Sequence, residues 1–147
     1  MEILIKKVTI AAEKQYVIEL CDEAFKEGIT KRDNYKVILN KILNNADFFC
    51  AYINTEIAGY AAVYTNDIVT RSAYVTMIGV IEKYRRYHVG TELLMACVEC
   101  AKERKMRVLR LEVLNENVSA ISFYKYMGFR IEKSASEKSK YMLKELF

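Results

Sequence analysis

The chain opens on ILIKKVTI, where apolar and charged side chains alternate, and this period of two predicts a strand of about six residues. Between Ala11 and Phe25 the positions Ala12, Tyr16, Val17, Leu20 and Ala24 recur at helical spacing, and Gly28 supplies a stop. A second helix is predicted over Arg32–Asn45, with Tyr35, Val37, Ile38, Ile42 and Leu43 as its apolar stripe. Phe48–Ile53 and Ile57–Tyr64 are β-rich runs separated by Asn54-Thr55-Glu56, which reads as a hairpin. The turn cluster Thr65-Asn66-Asp67 leads into a strand at about Ala73–Ile81. A third helix spans Val89–Arg104, with Leu93, Leu94, Cys97, Val98 and Ala101 on one face. Val108–Leu114 alternates again, placing Leu109, Leu111 and Val113 opposite Arg110, Glu112 and Leu114. A short helix over Val118–Met127 ends at Gly128, and Phe129–Glu132 and Tyr141–Leu146 are the closing strands. The order βααβββαβαββ describes an α/β (α+β) fold in which helices cover a mixed, mostly antiparallel sheet.

At 147 residues, without proline or a low-complexity stretch to mark a linker, the chain is expected to form one domain over residues 1–147. Apolar residues at 52% and charged residues at 29% exclude a disordered chain. No apolar run approaches the roughly 18 residues of a membrane span, and no secretory signal opens the chain, so a cytoplasmic location is expected. A net charge of +4 suits a phosphorylated ligand, but no motif for reading a nucleic-acid groove accompanies it. Cys97 and Cys100 form a CxxC, but the pair falls mid-helix and His88 is the single histidine. They are read as small packing residues, with no metal site.

Candidate chemistry concentrates in MIGVIEKYRRYHVGTELL, residues 77–94. A strand runs into a basic turn, and Gly90 opens an amphipathic helix. Unpaired N–H groups and the positive end of the helix dipole then face the turn, with Lys83, Arg85 and Arg86 nearby. The same stretch also fits a solvated basic turn. Gly79, a glycine inside an apolar strand, marks either a bulge that frees main-chain groups or close packing against a large neighbour.

With the later segment LRLEVLNENVSAISFYKYMGF, this stretch resembles the GCN5-related N-acetyltransferase (GNAT) superfamily. Arg85, His88 and Gly90 match the family's acetyl-CoA signature, with His88 standing where a glycine is usual. Leu111, Glu112, Val113, Asn117, Ala120, Ile121, Tyr124, Gly128 and Phe129 match its late strand, helix and Gly-Phe pattern. The resemblance covers about residues 72–130. It implies an acetyl-CoA-dependent N-acetyltransferase, an acyltransferase acting on a primary amine. The backbone of Ile78, Gly79 and Val80 would hold the pantetheine arm, and an N–H near Val80 would stabilise the oxyanion. The turn Arg85, Arg86, Tyr87, His88, Val89, Gly90, Thr91 would hold the pyrophosphate, and Asn117 would touch the cosubstrate where two strands splay.

Tyr124 is by the same resemblance the general acid for the departing thiolate, although a core aromatic reading of its helix face stays open. Glu112 is the first candidate for the base that deprotonates the amine, as in the ribosomal-protein alanine acetyltransferases. A structural pairing with Arg110 or a lysine is the alternative, and Glu82 or a water chain are others. No cysteine matches a nucleophile, so direct attack in a ternary complex is expected. Weaker signals are Asp22, Glu23 and Glu27 as an acidic helix end, Tyr60, Tyr64 and Tyr74 as either groove wall or core, and the tail EKSASEKSK as a plain polar loop. An edge strand near the carboxyl end offers a homodimer contact. A non-catalytic CoA-binding or interaction module on the same fold is the competing reading.

Overall fold

The computed structural model describes residues 2–25 and 28–147; Glu27, one of the acidic residues above, lies outside the described residues. In chain order the elements are β1 (Ile3–Val8), α1 (Ala11–Cys21), α2 (Tyr35–Asn45), β2 (Ala46–Ile53), β3 (Glu56–Tyr64) and β4 (Ser72–Val80). Then follow α3 (Val89–Glu103), β5 (Val108–Leu114), α4 (Val118–Tyr126), β6 (Arg130–Ser134) and β7 (Ser139–Glu145). Single 3-10 turns at Asp22–Ala24, Ile29–Lys31 and Glu82–Tyr84 join them. The predicted element order is the observed one. Helix α2 begins three residues later than the pattern suggests, because the preceding stretch is the 3-10 turn and a bend.

Seven strands form one sheet in the order β1-β2-β3-β4-β5-β7-β6, and the β4–β5 contact alone among these neighbours is parallel. One apolar layer lies under α3, which buries the predicted Leu93, Leu94, Cys97, Val98 and Ala101. The other lies under α1 and α2, around Phe48, Tyr60, Ile18 and Ile42. Gly128, at φ 94°, ends the α4 turn as a residue without a Cβ does most cheaply. None of the described helices is long and apolar enough to cross a membrane.

Helix α1 departs from its predicted face. It buries Lys14, Val17, Ile18 and Cys21, whereas Tyr16 and Leu20 are 61% and 48% exposed. The reason is polar. Lys14 Nζ donates to the carbonyls of Leu43 and Ala46 at 3.2 and 3.3 Å, serving acceptors that the end of α2 leaves without a helical partner. Its methylene stem packs while its head is satisfied, so a charged residue occupies a buried stripe that apolar periodicity does not reveal. Replacing Lys14 by alanine is expected to cost about 2 kcal/mol, the scale of a charge-assisted hydrogen bond left unmade. Urea unfolding measures this, and a loss below about 0.5 kcal/mol would show the contact to be incidental.

The site is prepared by a defect in the sheet. β4 and β5 pair only at Ser72↔Val108, Ala73↔Leu109 and Tyr74↔Arg110, and β4 then continues to Val80 without β5 beside it. On its other edge the register against β3 jumps from Val63↔Val75 to Ala62↔Met77, leaving Thr76 without an opposite residue. Such a bulge bends its strand and raises the local twist, which carries β4 away from β5. The bulge is therefore at Thr76 and not at Gly79, which pairs regularly with Tyr60. Gly79 meets the other expectation, that of packing: a Cβ there would fall 2.5 Å from the ring of Phe25.

Candidate active site

Past the bulge, the Ile81 N–H donates to the Ala58 carbonyl at 2.8 Å. The alternation of an antiparallel ladder then turns the main-chain groups of Ile78 and Val80 away from β3, into the gap that β5 has vacated. This gap is one arm of a groove of about 820 Å³ that runs from Ile78 and Val80 to the start of α3.

At that end, His88 adopts the left-handed conformation at φ 65°, ψ 21°, and the first helical bond runs from the Glu92 N–H to the His88 carbonyl. The N–H groups of Val89, Gly90 and Thr91 therefore have no partner within the helix, and the dipole of fifteen residues ends there. His88, Gly90 and Thr91 all line the groove. A left-handed residue explains why glycine is usual at this position, and His bears it at a cost of about 1 kcal/mol. A Cβ on Gly90 would meet only Phe123 and Val80 side-chain atoms at 3.8 Å, so no protein atom requires glycine there.

The basic residues divide. Arg86 lines the groove. Arg85 also lines it, while donating from Nε to the Val80 carbonyl at 3.1 Å and from Nη2 to the Ala24 carbonyl at 2.9 Å. It thereby brackets the turn to the end of β4 and to the segment after α1. Lys83 instead pairs with Glu56 at 3.2 Å. Val89 is buried in the core and the Tyr87 ring packs edge-on against Tyr84 at 6.4 Å, so their side chains face elsewhere.

A second groove of about 490 Å³ adjoins the first, and Phe25, Ile78, Asn117, Ala120 and Tyr124 line both. Asn117 caps α4, its Oδ1 accepting the Ala120 N–H at 3.2 Å. Tyr124 is half-buried between Phe123 and Phe129, with ring centroids at 5.5 and 5.8 Å. Burial, and secondarily Cys97, push its phenol up to about 12.

Glu112 lines the second groove beside Tyr74. Arg110 turns away from it to pair with Glu132 at 2.9 Å, so the pairing of Glu112 with Arg110 is not formed. Its Oε2 instead accepts the Ser139 hydroxyl at 2.6 Å. Ser139 belongs to the tail read as a plain loop, and it is 2% exposed. Burial, and then Glu112, raise the Tyr74 phenol to about 12. Of the other tyrosines, Tyr60 is core and Tyr64 lies beneath Lys41. Glu82 and Glu23 line the first groove. Asp22 is structural: its carboxylate accepts the Ile29 N–H at 2.8 Å and the Thr30 hydroxyl, tying the α1–α2 connection.

Phe25, Thr76 and Ser139 escaped the sequence reading. A signal existed only for Phe25, an aromatic followed by a glycine-containing connection, and nothing in the pattern ties it to Gly79.

The acetyltransferase (GNAT) family profile matches residues 14–129. Among relatives, an N-alpha-acetyltransferase of Sulfurisphaera tokodaii is 34% identical over 95 residues, covering 58% of this chain and 57% of that protein. A putative [ribosomal protein bS18]-alanine N-acetyltransferase of Bacillus subtilis is 30% identical, covering 78% of this chain and 73% of its own. The chain thus spans little more than half the length of the first of these relatives. In fold, the PaiA N-acetyltransferase of Thermoplasma acidophilum, crystallised with coenzyme A, superposes with a TM-score of 0.80 at 21% identity, over 99% of both chains.

Proposed function

Because this chain belongs to the acetyltransferase (GNAT) family, we propose that it transfers an acetyl group from acetyl-CoA to a primary amine, by direct attack within a ternary complex. The observation that carries this reading is the continuity of the two grooves, which share Tyr124 and Ile78. The first would take the cosubstrate: its pyrophosphate at the N–H groups of Val89, Gly90 and Thr91 with Arg86 beside them, its thioester along Ile78–Val80. An N–H of Val80 aimed at the developing oxyanion is worth about 3 kcal/mol.

The amine would arrive through the second groove, with Glu112 as the base that removes its proton. Ser139 fixes one carboxylate oxygen and so orients the other. Tyr124 would hydrogen-bond the sulfur. A phenol raised to about 12 stays protonated, and full transfer to a thiolate of ordinary basicity is uphill, so its main contribution is a donated hydrogen bond as charge develops. The four thiols are buried and pushed up, which supports a mechanism without an acyl-cysteine. The names of the relatives make peptide amino termini the first acceptors to try.

The test is acetyl-CoA-dependent thiol release against peptides with free amino termini, amino sugars and small amines, together with acetyl-CoA titrations of wild type and Gly90→Ala. Saturable release is expected with one acceptor class. Gly90→Ala should keep its melting temperature and lose about tenfold in acetyl-CoA affinity, since only a ligand contests that space. Tight binding without turnover on any acceptor would leave a CoA-binding module instead.

A further inference from the structure

The waist between the grooves is bounded by one aromatic ring. Phe25 lines both arms, and its ring lies on β4 where the side chain of residue 79 would project. A Cβ on Gly79 would sit 2.5, 2.7 and 3.0 Å from three atoms of that ring. Glycine at this strand position thus makes room for an aromatic delivered from another part of the chain.

The ring is backed rather than free. It contacts Tyr60 edge-on at 5.7 Å, and Tyr60 is wholly buried and stacked on Phe48 at 5.1 Å with an interplanar angle of 8°. Two fixed aromatics therefore stand behind Phe25, and displacing it into the core would overpack that layer.

We infer that Phe25 sets the length of the acyl group this protein accepts, its ring closing the space beyond the thioester carbonyl. The inference rests on the acyl-transfer reading above. With the carbonyl at Ile78–Val80 and the sulfur at Tyr124, the acyl carbons lie at the waist, and the waist is bounded by this ring. An acetyl methyl fits against it, and a butyryl chain meets it.

Calorimetric titration with coenzyme A, acetyl-CoA and butyryl-CoA tests this without knowledge of the acceptor. Wild type is expected to bind acetyl-CoA about tenfold or more tighter than butyryl-CoA, the scale on which added methylenes are rejected. Phe25→Ala brings the two within about threefold and Phe25→Leu falls between, each affinity being taken relative to the same protein's affinity for coenzyme A, which carries no acyl group. Equal wild-type affinities for the two thioesters, or an unchanged ratio in both variants, overturn the inference. If none of the three ligands binds wild type, it is the acyl-transfer reading that fails, and that result looks different from either.

Discussion

Tyr124→Phe lowers kcat by about 100-fold or more while acetyl-CoA affinity stays within about threefold of wild type. The ring is held by Phe123 and Phe129, whose centroids lie 5.5 and 5.8 Å away, and phenylalanine fills that place unchanged. The variant therefore removes one hydroxyl and little else. If that hydroxyl bonds the sulfur chiefly as negative charge gathers there, ground-state binding barely registers its loss and the rate does. Because the phenol is pushed up to about 12, it also imposes no alkaline fall in turnover across the working range. Steady-state kinetics with whichever acceptor class the thiol-release screen yields, paired with calorimetry, separate the two quantities. Wild-type kcat in the variant would remove Tyr124 from the chemistry.

Stability falls steeply above pH 9, by an amount on the order of 5 kcal/mol at pH 10. The source is the four buried thiols. Burial is the first cause in each case: it raises Cys50 to about 11, Cys21 and Cys100 to about 12, and Cys97 in the same direction. A folded-state value above the unfolded one means that the unfolded chain releases its protons first as pH rises. The stabilising difference is complete below the unfolded value of 9.0 and shrinks as pH climbs toward the folded values. Each group loses about 1.4 kcal/mol per pH unit over that interval, so four together rival the net stability of an ordinary domain. Buried Tyr60 and half-buried Tyr74 add to the slope once the unfolded phenols begin to ionise near 10.0. Denaturant unfolding at pH 7, 9 and 10, with reductant present, gives the curve. The doubly substituted Cys97→Ala, Cys100→Ala protein is expected to lose about half as much. Constant stability between pH 8 and 10 would contradict the assignment.

What was legible in the sequence, and what was not, follows from the range of the interactions concerned. Val108–Leu114 has the predicted bounds, since alternation is a local property and this strand presents one face to the core. The α3 stripe holds for the same reason. Helix α1 buries a different face from the one its apolar spacing predicts, because Lys14 is held by acceptors at the end of another helix, 29 and 32 residues away. The turn before α3 is legible as a strand-to-helix turn because its signals are adjacent in the chain. The place of Phe25 is not, because the glycine that receives it lies on β4 and no local pattern joins them. Ser139 carries no local signal either: it meets Glu112 only across the pairing of β5 with β7.

The gap at Thr76 has a wider meaning. Since the opening beside β4 is set by a surplus residue in the backbone, the side chains around it are spared the task of holding it apart. The exception is Gly79, where an added Cβ would strike the Phe25 ring. On the acetyl-transfer reading proposed above, the donor's place is then set by backbone and the acceptor's by side chains.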